Sequence, residues 1–205
     1  MSKLALAQAF IATQLPQMGG WCDQQKALEL AKVVLEHGHQ RIADVGVFEG
    51  KSTLALAYAC KLNGSGVVYA VDSWSKNDCI ETESTANAEW WAALDLDNHY
   101  EGFIRHSVRA EVVRYINVCR MSSRNASYIL PELDMVHIDA NHAEWPSTSD
   151  VVQWLPKVKI GGHIVLDDVN WETTQTAQRF TEKFCSKVAR FDLKESCFAI
   201  YRKEK

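Results

Sequence analysis

Acidic residues recur where β-strands would run out into loops. They are Asp44 in ADVGVFEGKST (residues 43–53), Asp72 in VYAVDSW, Asp139 in DMVHIDANH, and Asp167-Asp168 in HIVLDD. The first loop ends in Gly-Lys-Ser, as a phosphate-binding loop does, but the spacing argues against phosphate. Such a loop has four residues between its glycines, whereas Gly46 and Gly50 have three. Asp44 and Glu49 would also set carboxylates against an anion, in a place where a nest of amides should be free of them. The dinucleotide pattern G-x-G-x-x-G fails as well, since only Gly46 and Gly50 are present. An acid-rich glycine turn suits a ligand that is cationic and bears hydroxyls. Asp72, ending the second strand, is placed to accept a ribose diol. If the strands ending in Asp139 and in Asp167-Asp168 are neighbours, three carboxylates meet at one rim. Unpaired, they would repel one another and raise a pKa. A hard divalent cation such as Mg²⁺ would relieve that repulsion through oxygen ligands. The alternative is structural, with one acid capping a helix, one contacting a ligand and one solvated.

Such an arrangement needs strands that share an end. Helix and strand patterns alternate along the chain. DQQKALELAKVVLEHG, KSTLALAYACKLNG, residues 85–111, SDVVQWLPKV and residues 172–187 read as helices. RIADVGV, GVVYAVDSW, VRYINVC, DMVHID, HIVLDD, VARFDL and CFAIYRK read as strands, with a Gly161-Gly162 turn before the fifth. The order predicts an α/β, Rossmann-like, mainly parallel seven-stranded sheet with helices on both faces and an antiparallel final strand. Ligands bind such sheets beyond the carboxyl ends of the strands, near the switch point. Residues 1–38 form N-terminal helices serving as a cap or an oligomer contact, through which a homo-oligomer could form. Residues 39–205 form the ligand-binding domain, with 74–111 as a lid studded by Trp90, Trp91, Tyr100 and Phe103. Trp21 could close the pocket from the N-terminal side.

The chain has 205 residues, 47% of them hydrophobic, which suits one globular domain. A formal charge of −4 argues against a nucleic-acid partner. No apolar run is long enough to cross a bilayer, so no membrane partner is expected. MSKLALAQAFIATQLPQ reads as an amphipathic helix rather than a signal peptide. The six cysteines include no C-x-x-C pair, and free thiols in a reducing, cytoplasmic location are expected.

DVGVFEGKS resembles the E/D-x-G-x-x-x-G-x-S motif of class I S-adenosylmethionine-dependent methyltransferases, and VYAVDSW resembles their second-strand motif. DMVHIDANHAEWPSTSDVVQWLPKVKIGGHIVLDD is similar to the later part of the metal-dependent small-molecule O-methyltransferases. That subgroup has a D-G-x-H-x-Y segment, an Asp on the next helix, K-x-G-G and a D-D pair. The matching residues are Asp139, His142, Asp150, Gly161, Gly162, Asp167 and Asp168, with departures at Ala140 and Glu144. The resemblance runs over roughly residues 20–202 by pattern. It implies S-adenosylmethionine as cofactor, a sulfonium compound with an ammonium and a ribose diol. Asp44, Gly46, Glu49, Gly50 and Ser52 would surround its methionine part, Asp72 would hold the ribose, and Ser122 would lie near the adenine. Trp74 would cover the ribose or adenine, or simply pack.

The resemblance also implies a metal at Asp139, Asp167 and Asp168, with Mg²⁺ holding two adjacent oxygens of the acceptor. His142 is a candidate general base, with Asp139 beside it; it could equally orient Asp139 or be a surface histidine. His137 and His163 read as structural. The expected activity is methyl transfer to a small-molecule acceptor, at a hydroxyl oxygen. The rivals are a non-catalytic cofactor-binding or assembly protein and a hydroxylase- or N-methyl-type relative.

Overall fold

The computed structural model describes residues 1–79, 85–194 and 196–205, so part of the expected lid, 80–84, lies outside the described residues. Two helices lead, α1 (Lys3–Gln14) and α2 (Gln24–His37). Then come β1 (Arg41–Val45), α3 (Lys51–Asn63), β2 (Val67–Asp72), α4 (Lys76–Cys79), α5 (Thr85–Ala93) and α6 (Leu96–Arg109). The second half holds β3 (Ile116–Arg120), α7 (Ser123–Ile129), β4 (Leu133–Ile138), α8 (Glu144–Trp154), β5 (Val158–Leu166), α9 (Gln175–Thr181), β6 (Cys185–Asp192) and β7 (Cys197–Lys203).

The seven strands form one sheet in the order β3-β2-β1-β4-β5-β7-β6. β1 to β5 are parallel; β7 runs antiparallel between β5 and β6. This is the expected Rossmann-like sheet. Its strand order reverses between β1 and β4, so the switch point lies where Asp44 and Asp139 end adjacent strands.

Neighbouring residues of β1 face opposite ways, as a pleat requires. Ile42 joins a core with α1, α2, α3 and α6, while Ala43 and Val45 join one with α7, α8 and α9. The N-terminal helix has an intramolecular role. Ala7 and Ile11 are buried, and Phe10 stacks on Tyr58 of α3 at 3.8 Å. All six cysteines are free thiols. Among the described residues, no helix is long and apolar enough to cross a membrane.

Three boundaries differ from the sequence reading, each for a tertiary or local reason. Helix α9 stops at Thr181 rather than 187, because residues from Cys185 onward pair with β7. Helix α8 begins at Glu144, with Pro146 in a first turn whose amides have no helical partner to lose. Gly161 and Gly162 do not end a turn but lie inside β5. There Gly161 takes φ +80° and the pairing with β4 shifts register between Leu133 and Met135.

At the opposite end of the sheet from the acids, His39 Nε2 and His163 Nδ1 lie 2.9 Å apart, both residues buried. Burial, then the neighbouring imidazoles, pushes His39 down to about 3 and His163 to about 4. Because the folded values lie below the unfolded one, these rings favour the fold above the unfolded pKa and work against it as pH falls through that value. Imidazole ¹⁵N shifts should therefore show both rings still neutral at ~pH 5, where an unperturbed histidine is mostly protonated. Protonated rings at that pH would contradict the buried pair.

Candidate active site

The ends of the parallel strands are held in register by bonds that continue the ladder into the loops. Gly46 N donates to Val71 O at 2.9 Å, Asp139 N to Val45 O at 2.8 Å, and Asp167 N to Ile138 O at 3.1 Å. Met121 N donates to Asp72 O at 3.0 Å, which brings Ser122 alongside the second strand. The rim is strained: Phe48, Trp74 and Asp168 are non-glycine residues at φ +52°, +45° and +47°. Such conformations persist where surrounding structure enforces them, and they gather at functional sites.

Gly46 and Gly50 are needed sterically. With φ +91°, Gly46 lies so close to the end of β4 that a Cβ would meet Asp139 O at 1.9 Å; at Gly50, φ +88°, it would meet Phe103 at 2.3 Å. Beneath this turn, Asp44 is fully buried. Its Oδ2 accepts from Ser52 Oγ at 2.8 Å and from Thr53 Oγ1, and its Oδ1 pairs with His137 Nδ1 at 2.7 Å. Asp44 and Ser52 therefore hold the turn from inside. Glu49 reaches sideways: Oε2 accepts from Gly19 N at 2.6 Å and Oε1 pairs with His99 Nδ1 at 2.6 Å. Burial raises the Glu49 carboxyl, but the Gly19 amide and His99 outweigh it and leave it below its ordinary value.

Asp72 stands at the centre of the rim. Its Oδ2 accepts from Val47 N at 2.9 Å and Phe48 N at 3.0 Å, and its Oδ1 from Trp74 N at 2.7 Å. Burial nevertheless raises its carboxyl above the usual value. Three backbone donors leave roughly one of its four lone-pair sites for a further partner. Trp74 is buried between Tyr100 and Phe103, and its Nε1 donates to Phe48 O at 2.9 Å. Ser122 caps α7, accepting from Asn125 N at 3.3 Å. Trp21 meets Trp90 edge-on at 4.8 Å and lies 5.9 Å from Phe48, so the N-terminal segment and α5 share an aromatic cluster beside the turn.

Two of the three expected metal ligands, Asp139 and Asp167, share a partner of the chain's own. Lys26, on α2, is 1% exposed; its Nζ donates to Asp139 Oδ2 at 2.7 Å and also to Asp167 Oδ2. The α2 N-terminus that carries it is fixed by Asp23, whose Oδ1 accepts from Lys26 N at 2.8 Å and whose Oδ2 accepts from Ser196 Oγ at 2.5 Å. Burial would lower the Lys26 pKa, but the two carboxylates hold it well above its ordinary value, so the group is an ammonium. Burial raises both acids as well. At Asp139 the ammonium overrides it and the carboxyl falls well below the usual range, whereas Asp167, beside the Asp139 charge, goes well above.

The other Asp139 oxygen faces His142: Nε2 lies 3.4 Å from Asp139 Oδ1 and 3.1 Å from Asp168 Oδ2. The Trp171 ring backs the imidazole at 5.1 Å. Ala140, Asn141, His142, Asp167, Thr174 and Gln178 line a small cleft beside it. Asp150 lies apart, accepting from Ser123 Oγ at 2.5 Å; burial raises it to about 6.

Two sets among the described residues offer ion ligands close enough to share one ion: His137, Asp139 and Asp167; and Asp139, His142 and Asp168. Both contain Asp139, whose Oδ2 already holds the ammonium. The ammonium repels a divalent ion placed beside it, and it fills the space between Asp139 Oδ2 and Asp167 Oδ2 that a bridging ion would take. The residues present do not fit Mg²⁺ held jointly by Asp139, Asp167 and Asp168.

The sequence reading missed Lys26, although a signal existed. Position 26 lies in register with Leu30, Val33 and Val34 on the buried stripe of α2, where lysine is rare unless paired.

A methyltransferase domain family matches residues 43–169, more than half of the chain. The chain belongs to this family. Motifs, topology and family make it a class I S-adenosylmethionine-dependent methyltransferase. Compared with curated proteins, the methyltransferase matches none in sequence. Solved structures share its fold. An O-methyltransferase from Bacillus cereus, in complex with SAH, has a TM-score of 0.64 at 17% identity, covering 99% of this chain and 91% of that one. The O-methyltransferase TomG from Streptomyces achromogenes, involved in tomaymycin synthesis and in complex with SAM, has 0.65 at 17%, covering 100% and 91%. A putative caffeoyl-CoA O-methyltransferase from Staphylococcus aureus has 0.64 at 10%, covering 98% and 93%.

The close approach of Gly46 to β4 makes it the most sensitive position of the turn. Gly46→Ala should destabilise the protein by about 3 kcal/mol or more in urea denaturation, since it combines a left-handed backbone with a backbone collision. A loss below about 1 kcal/mol would contradict the contact with Asp139 O.

Proposed function

We propose that the chain transfers the methyl group of S-adenosylmethionine to a hydroxyl oxygen of a small molecule, with His142 as general base. The observation that carries this reading is the placement of His142 Nε2 between Asp139 Oδ1 and Asp168 Oδ2 at the rim of β4 and β5. An imidazole held by two carboxylates is oriented for proton transfer, and the imidazolium it becomes is stabilised where it forms.

The methyl donor supplies an electrophilic carbon on a sulfonium leaving group. The turn from Gly46 to Gly50, with Glu49 at its side, faces the methionine part; the free lone-pair site on Asp72 takes one ribose hydroxyl. Ser122 lies near the adenine, and Trp74 packs between Tyr100 and Phe103 behind the turn. Asp44 and Ser52 support the turn from below. In the step itself, the His142 imidazole keeps its Nε2–H on the carboxylates and takes the proton of the acceptor hydroxyl at its other nitrogen, Nδ1. The oxygen pair forms the new bond to the methyl carbon, the C–S bond breaks, and its electron pair stays on sulfur as a neutral thioether. The TomG and Bacillus cereus proteins, O-methyltransferases bound to SAM and SAH, support the choice of donor and acceptor atom. No step is routed through magnesium.

Turnover is read as S-adenosylhomocysteine release across a panel of phenols, catechols and sugar hydroxyls. His142→Ala should lower kcat by about 10²–10⁴-fold and abolish the limb of the pH–rate profile that reports the base. An unaltered profile would remove His142 from that role. Donor binding with no release across the panel would favour the non-catalytic binder.

A further inference from the structure

We propose that Lys26 is the resident cation of this site. Its ammonium stands where a divalent ion would bridge the acids at the ends of β4 and β5, so methyl transfer by this chain is independent of metal. The geometry carries the inference. Lys26 is 1% exposed and comes from α2, outside the matched residues 43–169. Its Nζ bonds one oxygen of Asp139 and one of Asp167, spanning the two strands. The start of the helix is tied to the sheet, because Asp23 caps α2 and is itself bonded by Ser196 just before β7. Leu30 and Val34, on the same stripe, are fully buried and anchor the helix behind it.

A magnesium ion would need oxygen ligands at about 2.1 Å and several waters around it. At Asp139 and Asp167 that space holds the ammonium and its stem. The ammonium also does for Asp139 what an ion would do: it occupies Oδ2 and leaves Oδ1 turned to His142. Lys26 is thus a positioning residue that acts through Asp139 on the base. With no Lewis acid to lower the hydroxyl pKa, the acceptor proton passes to His142 alone. The catalytic part of this inference rests on the methyl-transfer reading; the exclusion of the ion does not.

Mn²⁺ is the probe, read by electron paramagnetic resonance and by thermal unfolding of the full chain, with and without S-adenosylhomocysteine. The wild-type protein should leave the free-ion signal unchanged, and its melting temperature should not respond to Mn²⁺ or to chelator. Lys26→Met, which opens the acid pair, should bind Mn²⁺ at least about tenfold more tightly than wild type and be stabilised by it. Lys26→Arg, which keeps the cation, should stay as insensitive as wild type. Stoichiometric Mn²⁺ binding by wild type that is lost in Asp139→Asn would overturn the proposal, as would turnover abolished by chelator. If Lys26→Met does not fold, the wild-type and Lys26→Arg measurements decide. Failure to bind S-adenosylhomocysteine would count against the methyl-transfer reading and leave the Mn²⁺ result standing.

Discussion

One ion cluster ties the site together. Two carboxylates from adjacent strands cannot both be buried without compensation, because removing charge from water costs far more than packing returns. Lys26, from a helix that precedes the sheet in sequence, compensates the Asp139 charge, while burial and that charge push Asp167 toward its neutral form. The cluster therefore joins α2 to the ends of β4 and β5, makes the N-terminal segment part of the site, and sets which oxygen of Asp139 remains for His142. Desolvation makes the arrangement demanding as well as stabilising. Each member needs the other two, so the three side chains form a unit rather than a sum of pairs.

A second buried network does for β1 what the lysine does for β4 and β5. Asp44 takes hydroxyl bonds from Ser52 and Thr53 at the start of α3 and pairs with His137 of β4. The turn between β1 and α3 is thereby pinned from below, while Asp72 pins it from the side through the amides of Val47 and Phe48. The strain at Phe48 and Trp74 lies at this junction. A turn held on two sides can keep backbone conformations that a free loop would relax, and preorganisation of this kind is what a donor-binding loop requires.

Much of this was readable in the chain. The alternation of helical and strand periods led to the sheet, and the acids at strand ends led to the rim where Asp139, Asp167 and Asp168 gather. CFAIYRK was recognised as a strand with the bounds of β7. The reading failed where a partner distant in sequence decides the outcome. Residues 185–187 have a pattern compatible with extending a helix, and pairing with β7 makes them strand. Motif position also cannot tell which side of a turn a side chain faces: Asp44 and Ser52, expected beside the methionine part of the cofactor, bond each other beneath the turn.

The sequence by itself determined the class of fold, the edge of the sheet where its acids gather and the family, because periodicity, turn residues and motif spacing are local properties of a chain. Only the tertiary structure decided how the acids are neutralised. Lys26 and Asp139 are separated by 113 positions, and Lys26 and Asp167 by 141. Whether a carboxylate waits for a metal or already holds an ammonium depends on which helix lands against it, and no spacing within a motif records that.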